Sequence, residues 1–178
     1  MYPHGVAQTH TGVRVELVPE GAASVTTGLP VLDHLVGELA RSAGLRISLE
    51  VAPGSAEEEV AAAGRALGGA LNGPLRADGA AGRGWAFLPA DEALAGAVLE
   101  ISEHPLVASN VDFSGQLVGG LASDVLARFL HELASAAGLN VHVRVLEGKD
   151  PEHVLRAIFK ALGAALGQAC RPAYGGVE

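Results

Sequence analysis

The chain has 178 residues, of which 49% are apolar and 4% aromatic, with a mean hydropathy of +0.30 and a formal net charge of −8. This length suits one compact domain, and the acidic balance argues against nucleic acid or an anionic membrane as partner. A single cysteine, Cys170, excludes an internal disulfide and a cysteine-based zinc site and fits a reducing cytoplasm.

The N-terminus MYPHGVAQTH lacks a basic region followed by an apolar stretch, so it does not read as a signal peptide. No apolar run approaches the roughly 18 residues of a membrane helix. Residues 11–18 alternate as a strand, and 21–27 read as a turn and a second short strand. Gly28-Leu29-Pro30 opens a helix with Val31, Leu32, Leu35 and Leu39 on one face, and Gly44 ends it. An alternating strand, 45–51, follows. Ser55 is a plausible N-cap for a helix to Leu71. The stretch 72–84, rich in Gly, Ala and Asp, reads as a linker.

Strands are expected at 85–88 and 94–102, with a third inside 105–118. A helix to Ala137, a stop at Gly138, a strand over 139–145 and a helix from Asp150-Pro151 to Cys170 complete the order. The tail RPAYGGVE reads as mobile.

The chain repeats itself. ELARSAGL, starting at Glu38, returns as ELASAAGL, starting at Glu132, with six identities in eight positions. Each copy leads into an alternating strand and then an Ala-rich helix, GRALGGAL and FKALGAAL. The expected architecture is α/β (α+β): two tandem pseudo-repeats, 1–76 and 77–178, each a mixed β-sheet with two helices. The high apolar content suggests that some of that surface is shared between subunits.

Among polar residues, His34, His142 and His153 lie on helix starts or a strand's polar face. Three such nitrogens could serve a divalent metal, although their spacing alone does not demand it. His142 reads equally as a half-exposed strand histidine, and Glu152 as a carboxylate placed in the favourable field of a helix N-terminus. His4, His10, His104 and His131 read as surface residues. Cys170, at the end of the last helix, is a poor candidate nucleophile.

The segment GLPVLDHLVGELARSAGL resembles the TGxxFLDHM…ARH.G stretch of the imidazoleglycerol-phosphate dehydratase family. LPADEALAGAVLEIS is similar to that family's VPMDEALA…DLSGRP, and the chain from FSGQLVGG to ALGQA resembles the family's second half. The resemblance implies a duplicated half-domain of the ribosomal-S5-domain-2-like kind and a homo-oligomer, a 24-subunit shell built from trimers. It also implies a manganese-dependent lyase of histidine biosynthesis. In such an enzyme metal ions polarise the substrate's imidazole so that a carbon-bound proton can leave.

The family's ligands come from two HHxxE helix starts. In this chain the first corresponds to Glu57, Glu58 and Ala61, and the second to Glu152, His153 and Arg156; of these six positions only His153 keeps its type. The basic KRGIxRYG segment corresponds to ADGAAGRG with Arg83 offset, the SGRP arginine to His104, and STKG is absent from RPAYGGVE. Retained are His34, His142, His153, the Asp91-Glu92 pair and Lys160. The resemblance thus makes His34, His142, His153 and Glu152 the remnant metal set, Asp91 and Glu92 an acid/base pair, and Lys160 a substrate-phosphate group. Lys160 reads alternatively as a helix lysine paired with a carboxylate, and Asp91-Glu92 as a turn or cap.

Arg156 sets a guanidinium where a ligand carboxylate is expected, so ion pairs of Arg156 with Glu57, Glu58 or Glu152 across a half or subunit boundary are expected instead of metal. The resulting expectation is a dehydratase-like scaffold with impaired or absent catalysis and no cofactor. It would assemble with itself or with an active homologue. The alternatives are an active dehydratase with an altered, Mn2+-dependent site, or an enzyme of other specificity on the same scaffold.

Overall fold

The structure is a computed structural model that describes residues 10–112 and 115–173. The first half runs β1 (Gly12–Leu17), β2 (Ala22–Thr26), α1 (Pro30–Ala43), β3 (Leu45–Glu50) and α2 (Ala56–Leu75). The second half runs β4 (Arg83–Ala90), β5 (Ala93–Ile101), β6 (Leu106–Ser109), the short pair β7 (Leu117–Val118) and β8 (Leu121–Ala122), α3 (Ser123–Ala137), β9 (Leu139–Glu147) and α4 (Pro151–Ala169). The α/β architecture read from the repeat is the one observed.

Alternation decides the two central strands. Leu45, Ile47 and Leu49 of β3 are buried while Arg46, Ser48 and Glu50 face outward; Leu139, Val141 and Val143 of β9 repeat the pattern. Each central strand has an antiparallel neighbour on one side and a parallel one on the other. The sheets are ordered β1-β3-β2 and β4-β5-β9-β6, with β2 parallel to β3 and β6 parallel to β9. One helix, α1 or α3, forms each parallel crossover.

Besides covering their own sheets, the helices pack across the halves. α4 packs on α1, and α2 on α3. Glycines allow this close approach. A Cβ at Gly64 or Gly68 of α2 would lie within 3.0 Å of the Phe129 or Leu133 carbonyl oxygen of α3. Gly163 and Gly167 of α4 meet the Leu39 and Ala43 carbonyls of α1 in the same way. Phe129 and Phe159 stack at 5.5 Å between centroids in the shared core.

The helix ends carry a second duplicated device. α1 and α3 end on Gly44 and Gly138, both left-handed, at φ 63° and 69°. Arg171, just past α4, donates to the carbonyls of Ala43, Gly44, Val18 and Gly167. Arg76, just past α2, donates to those of Ala137 and Gly138. Each half therefore seals the other half's first helix.

Two expectations need correcting. α2 does not stop at Leu71 but runs to Leu75, with Pro74 in its last turn, and Asn72 Nδ2 donates to the Ala136 carbonyl. The connection between halves shortens accordingly, because the helix face that packs on α3 continues past the Gly-Pro pair. The C-terminal tail is anchored at its start by Arg171, while 174–178 lie outside the described residues. Cys170 is buried, which pushes its thiol up to about 11 and makes it inert.

Filling the interhelix contact should weaken folding. Gly163→Val is expected to cost about 1–3 kcal/mol or more in urea unfolding through overpacking. Arg171→Ala is expected to cost about 1–3 kcal/mol, because it leaves helix-end carbonyls without donors.

Candidate functional site

Three elements from both halves meet at one corner: the middle of α1, the β4–β5 turn and the first turns of α4. Ala90 and Ala93 are register partners, so Asp91 and Glu92 form a two-residue hairpin loop. Asp91 takes the left-handed conformation there, at φ 51°, which Asp tolerates better than most residues. The loop thus presents two adjacent carboxylates towards α4.

Glu92 works as an anchor for α4. Its carboxylate accepts from the backbone N–H of Asp150 at 2.9 Å and of Lys149 at 3.3 Å, and it meets His153 Nδ1 at 2.6 Å. The Asp150 N–H, followed by the His153 bond, lowers the Glu92 carboxyl to about 2. The same bond to Glu92 raises His153 above its ordinary value. Asp150 caps α4 by accepting from the Glu152 N–H. The other ring nitrogen of His153, Nε2, lies 3.4 Å from Asp91.

Arg156 lies one turn further along α4. It pairs with Asp91 at 3.3 Å and with Glu38 of α1 at 3.7 Å. Glu38 also receives Arg41 at 3.5 Å and His34 Nε2 at 3.7 Å. Its side chain is only 14% exposed, so this carboxylate depends on its cations more than a surface pair would.

The remaining expected residues are dispersed. His142 sits on the outward face of β9, opposite Val98 and Ala108, whereas α4 and the corner lie behind the other face. Glu58 closes a capping box with Ser55 at the start of α2, and Glu57 beside it is exposed. Ala61 is buried. Glu152 is exposed on the first turn of α4. Lys160 Nζ donates to the Pro89 carbonyl at 2.6 Å rather than to a carboxylate.

Within the chain, Arg156 meets Glu38 and Asp91 instead of the expected Glu57, Glu58 or Glu152. Glu38 opens the repeat and lies within the family-like segment, but neither gave it a role, although its i, i+4 spacing from His34 was available. The donor set of one chain does not fit a resident metal. Both His153 nitrogens face carboxylates, and a guanidinium occupies the next turn. Among the described residues, no group of three or more His, Cys, Asp or Glu is arranged to hold an ion.

The TGLPVLD segment also has a structural role. Thr27, 1% exposed, donates its hydroxyl and its N–H to the Asp33 carboxylate, which fixes the entry to α1. None of the described helices is long and apolar enough to cross a membrane.

The fold and this corner define a duplicated α/β scaffold whose helices pack against one another across the two halves, with its polar corner assembled from both. The family profile described as imidazoleglycerol-phosphate dehydratase matches residues 27–166. Curated imidazoleglycerol-phosphate dehydratases are similar along almost the whole chain. One from Heliobacterium modesticaldum is 34% identical over 175 residues, covering 94% of this chain and 88% of its own. One from Clostridium botulinum is 33% identical over 167 residues, covering 91% and 85%. The crystal structure of the Staphylococcus aureus dehydratase superposes with a TM-score of 0.84 at 25% identity, covering 93% of this chain and 96% of that one. That of the Pyrococcus furiosus enzyme gives 0.77 at 27%, covering 92% and 91%. This chain belongs to the imidazoleglycerol-phosphate dehydratase family.

The Glu92–His153 contact predicts a pH profile. The lowered Glu92 contributes fully above its ordinary 4.5, and that contribution is lost as pH falls towards about 2. The raised His153 contributes fully below 6.5, and that is lost as pH rises through its raised value. Both are present between 4.5 and 6.5. An NMR titration should place the His153 midpoint above 6.5 in the native protein and lower it in Glu92→Gln.

Proposed function

We propose that this chain is a dehydratase-family subunit that keeps the scaffold and has lost, or largely lost, the dehydratase reaction. The observation that carries this reading is Arg156, which stands where the family's second motif has a carboxylate ligand and pairs with Asp91 and Glu38. A fixed cation beside His153 raises the cost of placing a divalent ion there. The first motif position is equally altered, since Glu58 caps its own helix and Ala61 is a buried methyl.

The phosphate side of the reaction is weakened as well, because Lys160 is held on the Pro89 carbonyl. In this reading the chain carries no resident cofactor. It works in the cytoplasm as a structural or regulatory subunit of an oligomer, with itself or with a catalytically intact homologue. The family-type shell of 24 subunits built from trimers is the expected assembly.

One observation favours a second reading, an active dehydratase with an altered Mn2+ shell. Asp91, Glu92 and His153 of the family pattern remain in mutual contact, and a carboxylate pair beside an imidazole is a set that could handle protons.

Complementation of a histidine auxotroph lacking its dehydratase separates the two. The expected outcome is no growth without histidine, together with no turnover of imidazoleglycerol phosphate by the purified protein in excess Mn2+. Growth at the rate given by an intact family member would establish the second reading.

A further inference from the structure

β4 is an edge strand, lying outside β5 in the order β4-β5-β9-β6. Its sequence makes that edge a liability. Residues 85–88, WAFL, combine two aromatics with no charge, a composition that favours pairing with a further strand. In an antiparallel ladder, alternate residues turn both backbone groups away from the neighbouring strand. On β4 these residues are Trp85, Phe87 and Pro89.

α4 runs along this edge and answers it position by position. Gln168 accepts from the Trp85 N–H at 3.0 Å and donates to the Trp85 carbonyl at 2.8 Å. One side-chain amide thereby makes the two bonds that an added strand would make. Lys160 donates to the Pro89 carbonyl at 2.6 Å, and proline has no N–H to offer. The spacing explains the correspondence. Four residues of helix rise about 6 Å, and two residues of strand about 6.6 Å. Every fourth position of α4 therefore meets every second position of an antiparallel β4. Ala164 falls between Lys160 and Gln168 and brings no polar group to Phe87. Gly84 lets the helix come close enough, because a Cβ there would strike the Ala165 carbonyl.

Burial does not compel these bonds. Gln168 and Trp85 are both exposed, so water could satisfy the same groups without cost. Nor is this a local turn, since the two residues are 83 positions apart.

We infer that Gln168 is a built-in strand surrogate. Its amide occupies the pairing positions of β4 and keeps that edge from taking up a strand of another chain, which places the device among the edge protections of exposed sheets. The strand most available to pair there is the same WAFL segment of a second copy, which is itself an edge. The inference is independent of the functional reading above, because it concerns a contact that the fold prevents.

Two variants test it, each checked for native circular dichroism. Gln168→Met keeps the bulk and helix preference and removes both bonds. Gln168→Glu keeps an acceptor for the Trp85 N–H and loses the donor. Hydrogen exchange, resolved to single residues by fragmentation mass spectrometry, follows the Trp85 amide, with the Ala86 amide on the β5 side as internal reference. The expected result is Trp85 exchange about tenfold faster in Gln168→Met, a smaller rise in Gln168→Glu, and no change at Ala86. Light scattering and thioflavin T fluorescence at matched concentration are expected to show Gln168→Met passing into β-rich aggregates faster than the wild type. A wild-type Trp85 amide that exchanges as fast as the one in Gln168→Met would overturn the bonds themselves. Release of that amide in Gln168→Met without faster aggregation would overturn the guarding role.

Discussion

Close approach of helix backbones across the two halves is the constraint on which the structure depends. Each half's second helix packs on its own sheet and also on the first helix of the other half. Gly64 and Gly68 let α2 press on α3, and Gly163 and Gly167 let α4 press on α1. Side chains in those places would force the pairs apart and empty the shared core around Phe129 and Phe159. Arg76 and Arg171 then seal the helix ends so exposed, each supplying donors to carbonyls of the opposite half. The halves are linked by packing as well as by the chain.

The polar corner follows from that cross-half packing. Because α4 lies along α1, the first turns of α4 are brought beside Glu38, and the β4–β5 loop closes the third side. The start of α4 here carries complementary charges. Glu92 satisfies two backbone N–H groups and His153, and Arg156 joins Asp91 to Glu38. The Arg156–Glu38 pair, whose carboxylate is well shielded, is costly to separate even where its net contribution is small. The same residues that make the corner self-sufficient leave little donor capacity for an ion, which connects the loss of motif residues to the proposed loss of chemistry.

Much of the fold was legible because its signals are local. The repeat at Glu38 and Glu132, the alternation in β3 and β9, and the stops at Gly44 and Gly138 each depend on a few neighbouring residues. What was not legible is long-range. Gly73-Pro74 reads as a break, yet contact with α3 carries α2 through it. Arg171 looked like the start of a loose tail, and only the position of the α1 end makes it a cap.

At the site, the resemblance directed attention to Arg156 and His153, whereas Glu38, the α1 partner of Arg156, lies more than a hundred residues away in a segment whose resemblance assigned it no role. Lys160 shows the same limit. Its carbonyl acceptor on β4 has no side-chain signature at all.

The central claim is that ion pairs, and not a coordinated cation, close this corner. Anomalous diffraction at the manganese edge, from crystals of the assembled protein grown in excess Mn2+, tests it most directly. The account predicts Arg156 on Asp91 and Glu38 with no anomalous peak beside His153. A manganese peak bonded to His153, with the guanidinium displaced, would contradict it.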